Sequence, residues 1–286
     1  MKKIRTITLF CAIFISTTLS NIVPTYADHS EKEPIRFGSV AMDIPSVMHK
    51  RLTPITEYLS KKLDRHIILT LSPNMSDAIN NLATGKVDFA YLTPVAYLKS
   101  HDKNNTKLIV KTLTNKKASF QLMIVVRDDS PIKTIKDLKG KKFGFGDKSA
   151  LLQRAALVDA GMPLENLAEY RFLSHYDNIA RAVMNKDVDA GILKDTKALK
   201  WKDKGLRILY SSPHLPPYNI SASKNMDNDL YKQIQKAFLE LDITIDKHKE
   251  IIKSLSNKYD GFAITSDKEY DIIRKMVAPF NTDNTK

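Results

Sequence analysis

Three short stretches carry residue types that can hold a small anion: Thr93-Pro94, "FGDKSALLQR" at 145–154, and Ser174-His175. Each opens an apolar helical pattern directly after a strand-like run. The first N–H groups of a helix lack intrahelical partners and sit at the positive end of its dipole, so they attract anions. Thr93, Ser149 and Ser174 add hydroxyl donors, and His175 adds an imidazole. Gly144 and Gly146 lie near the strand end before Ser149. Each stretch reads equally as an ordinary capped turn, with Thr93 at the cap and Pro94 at the first helical position. Asp195 follows another strand and either pairs with a ligand cation or caps the next helix.

Other chemistries find no foothold. Gly140, Gly144 and Gly146 do not fit a dinucleotide fingerprint, and no Gly-Lys-Ser/Thr phosphate loop occurs. His-Glu-x-x-His and Gly-x-Ser-x-Gly are absent from the sequence. The only pairs that an enzyme could use join His175 to Asp195 or Asp147, so a non-catalytic protein without a cofactor is expected. The 7 histidines are dispersed. Met42, Met48 and His49 have the softness for copper but equally suit core and surface positions at a helix start, and no metal is expected. Tyrosines and phenylalanines are spread singly, so no stacking platform for nucleic acid is expected.

The first residues read as an export leader. Met1 to Arg5 is basic, "TITLFCAIFISTTLS" is a short apolar run, and "TYA" precedes a cleavage point after Ala27. An uncleaved anchor helix is the alternative. The single cysteine, Cys11, falls inside this leader, which leaves no disulfide or thiolate chemistry for the mature chain. The expected location is the periplasm. The formal net charge of +13 becomes +10 once Lys2, Lys3 and Arg5 are removed. The lysines are interleaved with acidic residues, which describes a solvated surface.

From "IRFGSVA" onward, strand-length apolar runs alternate with helical patterns, which predicts an α/β fold with mostly parallel sheets. In "RLTPITEYLSKKL", Leu52, Ile55, Leu59 and Leu63 share a helical face, with Pro54 expected near its start. "NNLATGKVDFAYL" at 80–92 and "RAVMNKDVDAGIL" at 181–193 echo each other as a helix end, a turn and Val-Asp opening a strand. Two such units predict two lobes: 28–118 in the first, 119–213 in the second, and 214–286 returning to the first with C-terminal helices. Ligands of open parallel sheets bind at the carboxyl ends of the strands.

Seven segments in order, from "FGSVAMDIP" through "AINNLATGKVDFAYLTPVAYL", "SPIKTIKDLKGKKFGFGD" and "SHYDNIARAVMNKDVDAGI" to "YDGFAITSDKEYDIIRKM", carry a resemblance. Over about Ile35 to Met276 the chain resembles the phosphate/phosphite/phosphonate-binding family of type II periplasmic binding proteins, the substrate receptors of ABC importers. The resemblance implies a clamshell that closes on a small oxyanion and docks, as a monomer, on an inner-membrane permease. It also implies an anion-binding role for His175, which stands in the family's Ser/Gly-His setting. The family's Ser-Thr-Ser-Gly loop is shortened here, leaving Ser149, and its usual tyrosine after the first strand is Met42. Leu92 replaces an aromatic residue, and an acidic residue of aminophosphonate binders falls near Tyr218. The implied site therefore comprises His175, Ser174, Ser149, Thr93, Tyr91, Met42, Tyr97, Asp195 and Tyr218. Its aromatic content also suits a larger, less polar or metal-containing solute. A periplasmic sensor for a membrane histidine kinase is the other alternative.

Overall fold

Amphipathic helices and apolar strands alternate along residues 33–39 and 45–280, the part of the chain that the computed structural model describes. The expected leader, residues 1–27, and Met42 lie outside it. The first elements are β1 (Ile35–Ser39), α1 (Pro45–Leu63), β2 (Ile67–Leu71), α2 (Met75–Ala83), β3 (Phe89–Leu92), α3 (Pro94–Asn104) and β4 (Lys107–Thr114). Next come β5 (Leu122–Arg127), β6 (Lys142–Phe145), α4 (Leu151–Asp159), β7 (Glu169–Phe172), α5 (Tyr176–Met184), β8 (Ala190–Lys194), α6 (Asp195–Lys202) and β9 (Leu206–Ser211). The chain ends with β10 (Asn219–Ala222), α7 (Asn228–Leu239), α8 (Asp246–Leu255), β11 (Tyr259–Ala263) and α9 (Asp271–Val277). No helix among the described residues is long and apolar enough to cross a membrane.

Two separate sheets form, in the orders β11-β4-β10-β3-β1-β2 and β7-β6-β8-β5-β9. Only β2-β1-β3 and β7-β6-β8 are parallel. The sheets are thus more mixed than the strand–helix alternation predicts. The difference arises at the crossings, because β5 and β10 each enter a sheet antiparallel to both neighbours.

The Val-Asp echo has one physical role in both sheets. The Asp88 carboxylate accepts the Arg36 N–H of β1 at 2.6 Å, and the Asp189 carboxylate accepts the Lys142 N–H of β6 at 2.8 Å. Each Asp therefore anchors the start of the strand beside its own. The valine before it packs on a glycine of that strand, Val87 on Gly38 and Val188 on Gly144.

Helix α1 begins well before the predicted point, so Pro54 lies in its interior. The missing N–H costs a backbone bond, yet Met48, Leu52, Ile55 and Leu59 on one face are fully buried and hold the helix in place. The two crossing segments pair with each other. Phe120 and Leu215 exchange both backbone hydrogen bonds, at 2.9 and 2.8 Å, and Gln121 Nε2 donates to the Ser212 carbonyl at 2.6 Å. Helix α9 buries Ile273, Met276 and Val277, with Tyr270 just before it, in a core that includes Ala96 and Tyr97 of α3 and Ala155 and Ala156 of α4. It thereby braces helices belonging to both sheets.

Candidate functional site

The carboxyl ends of β3, β6 and β7 carry the three predicted helix starts, and each is built differently. At the end of β3, Thr93 caps α3: its Oγ1 accepts the Ala96 N–H at 3.1 Å, and Pro94 takes the first helical position. Thr93 is half-buried, and a capping hydroxyl that accepts still has its own proton to donate. At the end of β6, the cap of α4 is Ala150, without a side-chain bond. Ser149 instead donates its hydroxyl to Asp147 Oδ1 at 2.5 Å and its N–H to the same atom at 2.7 Å. Those two bonds, with the neighbouring His175, hold the Asp147 carboxyl below its usual range. Ser149 thus spends on Asp147 the donors expected for an anion.

The buried amide of Gly146 is also taken. Gln153, 6% exposed, accepts the Gly146 N–H at 2.7 Å through Oε1. A Cβ at 146 would stand 2.9 Å from Gln153 Nε2, so a side chain there would push that amide aside. Replacing Gln153 by leucine strands the buried Gly146 N–H. Urea unfolding of Gln153→Leu should show a loss of about 1–3 kcal/mol.

At the end of β7, Ser174 adopts φ +64°, a left-handed conformation uncommon outside glycine. This bend turns the chain so that the His175 carbonyl caps α5, accepting from Asn178 and Ile179 at 3.0 and 3.1 Å. The imidazole of His175 is exposed and takes no part in that cap. One residue on, burial drives the Tyr176 hydroxyl pKa up, and nearby Tyr218 and Asp195 push it further. Tyr218, in the segment leading into β10, thus lies near enough to Tyr176 of the second sheet's helix α5 to act on its hydroxyl electrostatically.

Tyr218 stacks on Tyr91 with ring centroids 5.4 Å apart. The Tyr91 hydroxyl bonds that of Tyr259 at 2.7 Å. Burial raises the pKa of both, and the Arg51 guanidinium partly offsets it. Tyr97 does not join this group. Its hydroxyl donates to Asp267 at 2.6 Å, and its ring packs edge-on to Tyr270 beside α9. Asp195 accepts backbone N–H groups from Thr196 at 2.6 Å and from Gln121 at 3.1 Å. Its carboxylate fastens the first turn of α6 to the crossing segment, while the N-cap position itself is Lys194.

Two lysines gather near this crossing: Lys194, which the sequence places just after a strand with Asp195, and Lys258, which it gives no role. Lys194 lies 4.7 Å from the Phe120 ring centre, and burial lowers its pKa, as it does that of Lys258. Lys258 Nζ approaches Thr196 Oγ1 at 3.5 Å, bringing the β11 edge against α6. Their convergence makes the region positive. Among the described residues no group of three or more His, Cys, Asp or Glu is arranged to hold a metal.

The architecture and this arrangement have counterparts among known proteins. Residues 37–270 match the family described as the periplasmic substrate-binding protein of ABC phosphonate transporters. The chain belongs to that family. It is 24% identical over 282 residues to the phosphonates-binding periplasmic protein of Escherichia coli K12, covering 93% of this chain and 82% of that one. It is 23% identical over 274 residues to the phosphate-import protein PhnD of Mycolicibacterium smegmatis, covering 85% of each. PhnD1 of Prochlorococcus marinus MIT 9301, solved with methylphosphonate, superposes with a TM-score of 0.67 at 21% identity, covering 86% of this chain and 98% of that one. The fold is accordingly the two-lobed type II clamshell.

As a member of this ABC-transporter family the chain is a solute-binding component and not an enzyme, and its transport partner is a permease. The family description names a transporter and lends no support to the sensor alternative. Sequence reading passed over Gln153, Tyr176, Arg51 and Tyr259. Gln153 had a signal: in "LLQRAAL" it is the polar residue on the face of Ala156 and Leu157, where an unpartnered amide would be costly. Tyr176 and Tyr259 had none, since the approach of Tyr218 to Tyr176 and the Tyr91–Tyr259 bond depend on the chain returning between the sheets.

Proposed function

We propose that this protein is the monomeric periplasmic receptor that captures a phosphonate- or phosphate-type oxyanion between its lobes and presents it to the permease. The family match over residues 37–270 carries this reading, and the relatives' printed names supply the ligand class. The lobes are 28–118 with 214–286, and 119–213, after removal of residues 1–27. The anion meets the start of α5, where His175 is exposed, and the half-buried Thr93 at the start of α3. The desolvated Lys194 and Lys258 favour negative charge nearby. Ligand acts by binding the closed clamshell better than the open one.

Isothermal titration with phosphate, phosphite, methylphosphonate and 2-aminoethylphosphonate tests the proposal. Micromolar or tighter binding of at least one is expected; no heat and no thermal shift from any of them, in a cooperatively folded sample, would overturn the ligand class. His175→Ala should weaken the ligand by about 1.5–3 kcal/mol, the worth of a hydrogen bond to a charged group. Its melting temperature should hold, because α5 is capped by the His175 backbone and not by the imidazole.

A further inference from the structure

The first turn of α6 gathers two ammonium groups from opposite sheets. Lys194 ends β8 of the second sheet and occupies the N-cap position of α6. Lys258 directly precedes β11 of the first sheet, and its Nζ lies 3.5 Å from the Thr196 hydroxyl in the first turn of α6. Among the described residues neither lysine forms an ion pair, whereas Lys197 of the same turn is bonded to Asp177 of α5. Asp195, beside Lys194, spends its oxygens on the N–H groups of Thr196 and Gln121. Its attraction does not outweigh burial, which, with the repulsion of Lys258, holds the Lys194 pKa below the ordinary lysine value. The Lys194 ammonium faces the Phe120 ring, 4.7 Å from its centre, a contact that leaves its charge uncancelled.

This turn lies on the edge of the second sheet that also carries the start of α5. Gly144 of β6 pairs with Arg171 of β7 and with Gly191 of β8. Three residues further on, Asp147, Ser174 and Lys194 therefore come out level at the carboxyl ends of these strands. With neighbouring strands about 4.8 Å apart, the backbone of Lys194 stands roughly 10 Å from the Ser174–His175 turn. Charges across such a span still act on one another where water is partly excluded, and a cleft focuses the field of the groups that line it. Asp147, the carboxylate on this edge, is held by the hydroxyl and N–H of Ser149. Each negative charge on an anion gains from the field of the two lysines, so a doubly charged anion gains twice what a singly charged one of the same shape does.

We propose that Lys194 and Lys258 set the charge that this receptor selects, favouring a doubly charged phosphorus oxyanion over a singly charged anion of the same shape. The inference rests on the receptor reading above and adds to it two residues that determine specificity. The pair acts through its field and needs no direct contact with the ligand. Because the lysines come from different sheets, the second ligand charge also offsets their mutual repulsion as the two edges approach.

Direct and competition titration with methylphosphonate and methanesulfonate decides it, at a pH above the second ionisation of the phosphonate, where the two differ by one charge and hardly in shape. Wild type should bind the phosphonate at least tenfold tighter, and this ratio should shrink in high salt. In Lys194→Gln and in Lys258→Gln the ratio should fall about five- to tenfold, whereas a merely structural role would weaken both anions alike. Lys258 is a surface side chain, so its variant serves if Lys194→Gln does not melt cooperatively. Phosphate or phosphite takes the place of methylphosphonate if it binds tighter. An unchanged ratio in either folded variant, or methanesulfonate bound as tightly as the phosphonate by wild type, would overturn this inference and leave the receptor reading standing. So would binding of 2-aminoethylphosphonate alone, because its ammonium cancels the second charge. No binding by phosphate, phosphite, methylphosphonate or 2-aminoethylphosphonate would overturn both.

Discussion

Glu269→Ala should lower the stability of the mature protein by about 3 kcal/mol, because it leaves Lys111 with its charge buried and unpaired. Lys111 is 7% exposed on β4, and its ammonium is bonded to the Glu269 carboxylate. The cost falls at the lower end of the usual range for a broken buried pair because the Glu269 side chain is 39% exposed, so water can reach the vacated position. For a chain of this size the melting temperature should drop by roughly 6–12 °C. Glu269 also closes a capping box with Ser266 ahead of α9, the helix that packs on both α3 and α4, so the loss should be cooperative across the molecule. Burial pushes the Glu269 carboxyl up, but Lys111, the Ser266 N–H and Thr265 outweigh it, and its pKa lies below the ordinary glutamate value. The sign follows: a carboxyl depressed in the folded state stabilises above its unfolded pKa and loses that contribution as pH falls through the folded pKa. The gap between wild type and Glu269→Ala should therefore narrow below about pH 4. A calorimetric series from pH 7 to pH 3 measures both effects. Equal melting temperatures at pH 7 would mean that Lys111 finds another partner.

The features that were legible in the sequence are local ones. Thr93-Pro94 could be recognised as a helix start because a cap and an N1 proline act within a single turn, and the structure builds both. The Val-Asp echo could be recognised because helix end, turn and strand are contiguous, and Asp88 and Asp189 do matching work. His175 opens α5 as its position implies. The features hidden from sequence depend on which backbone groups remain unpaired after folding. Ser149 looks like an anion donor until Asp147, two residues before it, accepts its hydroxyl hydrogen bond. Gly146 looks like a free amide until Gln153, a turn into the next helix, folds back on it. Tyr97 and Tyr91 sit close in sequence yet face different cores, because one follows the strand onto α3 and α9 and the other points toward α1 and β11. The turn after β6 thus keeps fewer open donors than its residue types suggest.

Gly191→Ala should both destabilise the protein and weaken ligand, although residue 191 is a buried strand position remote in sequence from His175. Gly191 on β8 lies in register with Gly144 on β6, and the two bare positions form the seat on which Ile179 of α5 rests. A Cβ at 191 would stand 2.4 Å from Ile179 Cγ2, and one at 144 would stand 3.3 Å from the same atom. Ile179 is fully buried and β-branched, so it has few rotamers into which to retreat. The added methyl must then lift α5 from the sheet. Overpacking of this kind costs about 1–3 kcal/mol, only partly offset by the lower chain entropy of alanine in the unfolded state. The functional effect follows from geometry. Lifting α5 displaces its first turn, which carries His175 and Tyr176, relative to Tyr218 and Thr93. Ligand affinity should fall about tenfold, since a displacement near an ångström is enough to spoil a charged hydrogen bond. Ile179→Ala made in the same chain removes the colliding methyl and should restore affinity more than it restores stability, because it trades the clash for a cavity. Titration and urea unfolding of the single and double variants read the two effects separately. A double variant no better at binding than Gly191→Ala alone would show that the strand, and not the seat of α5, sets the position of the anion site.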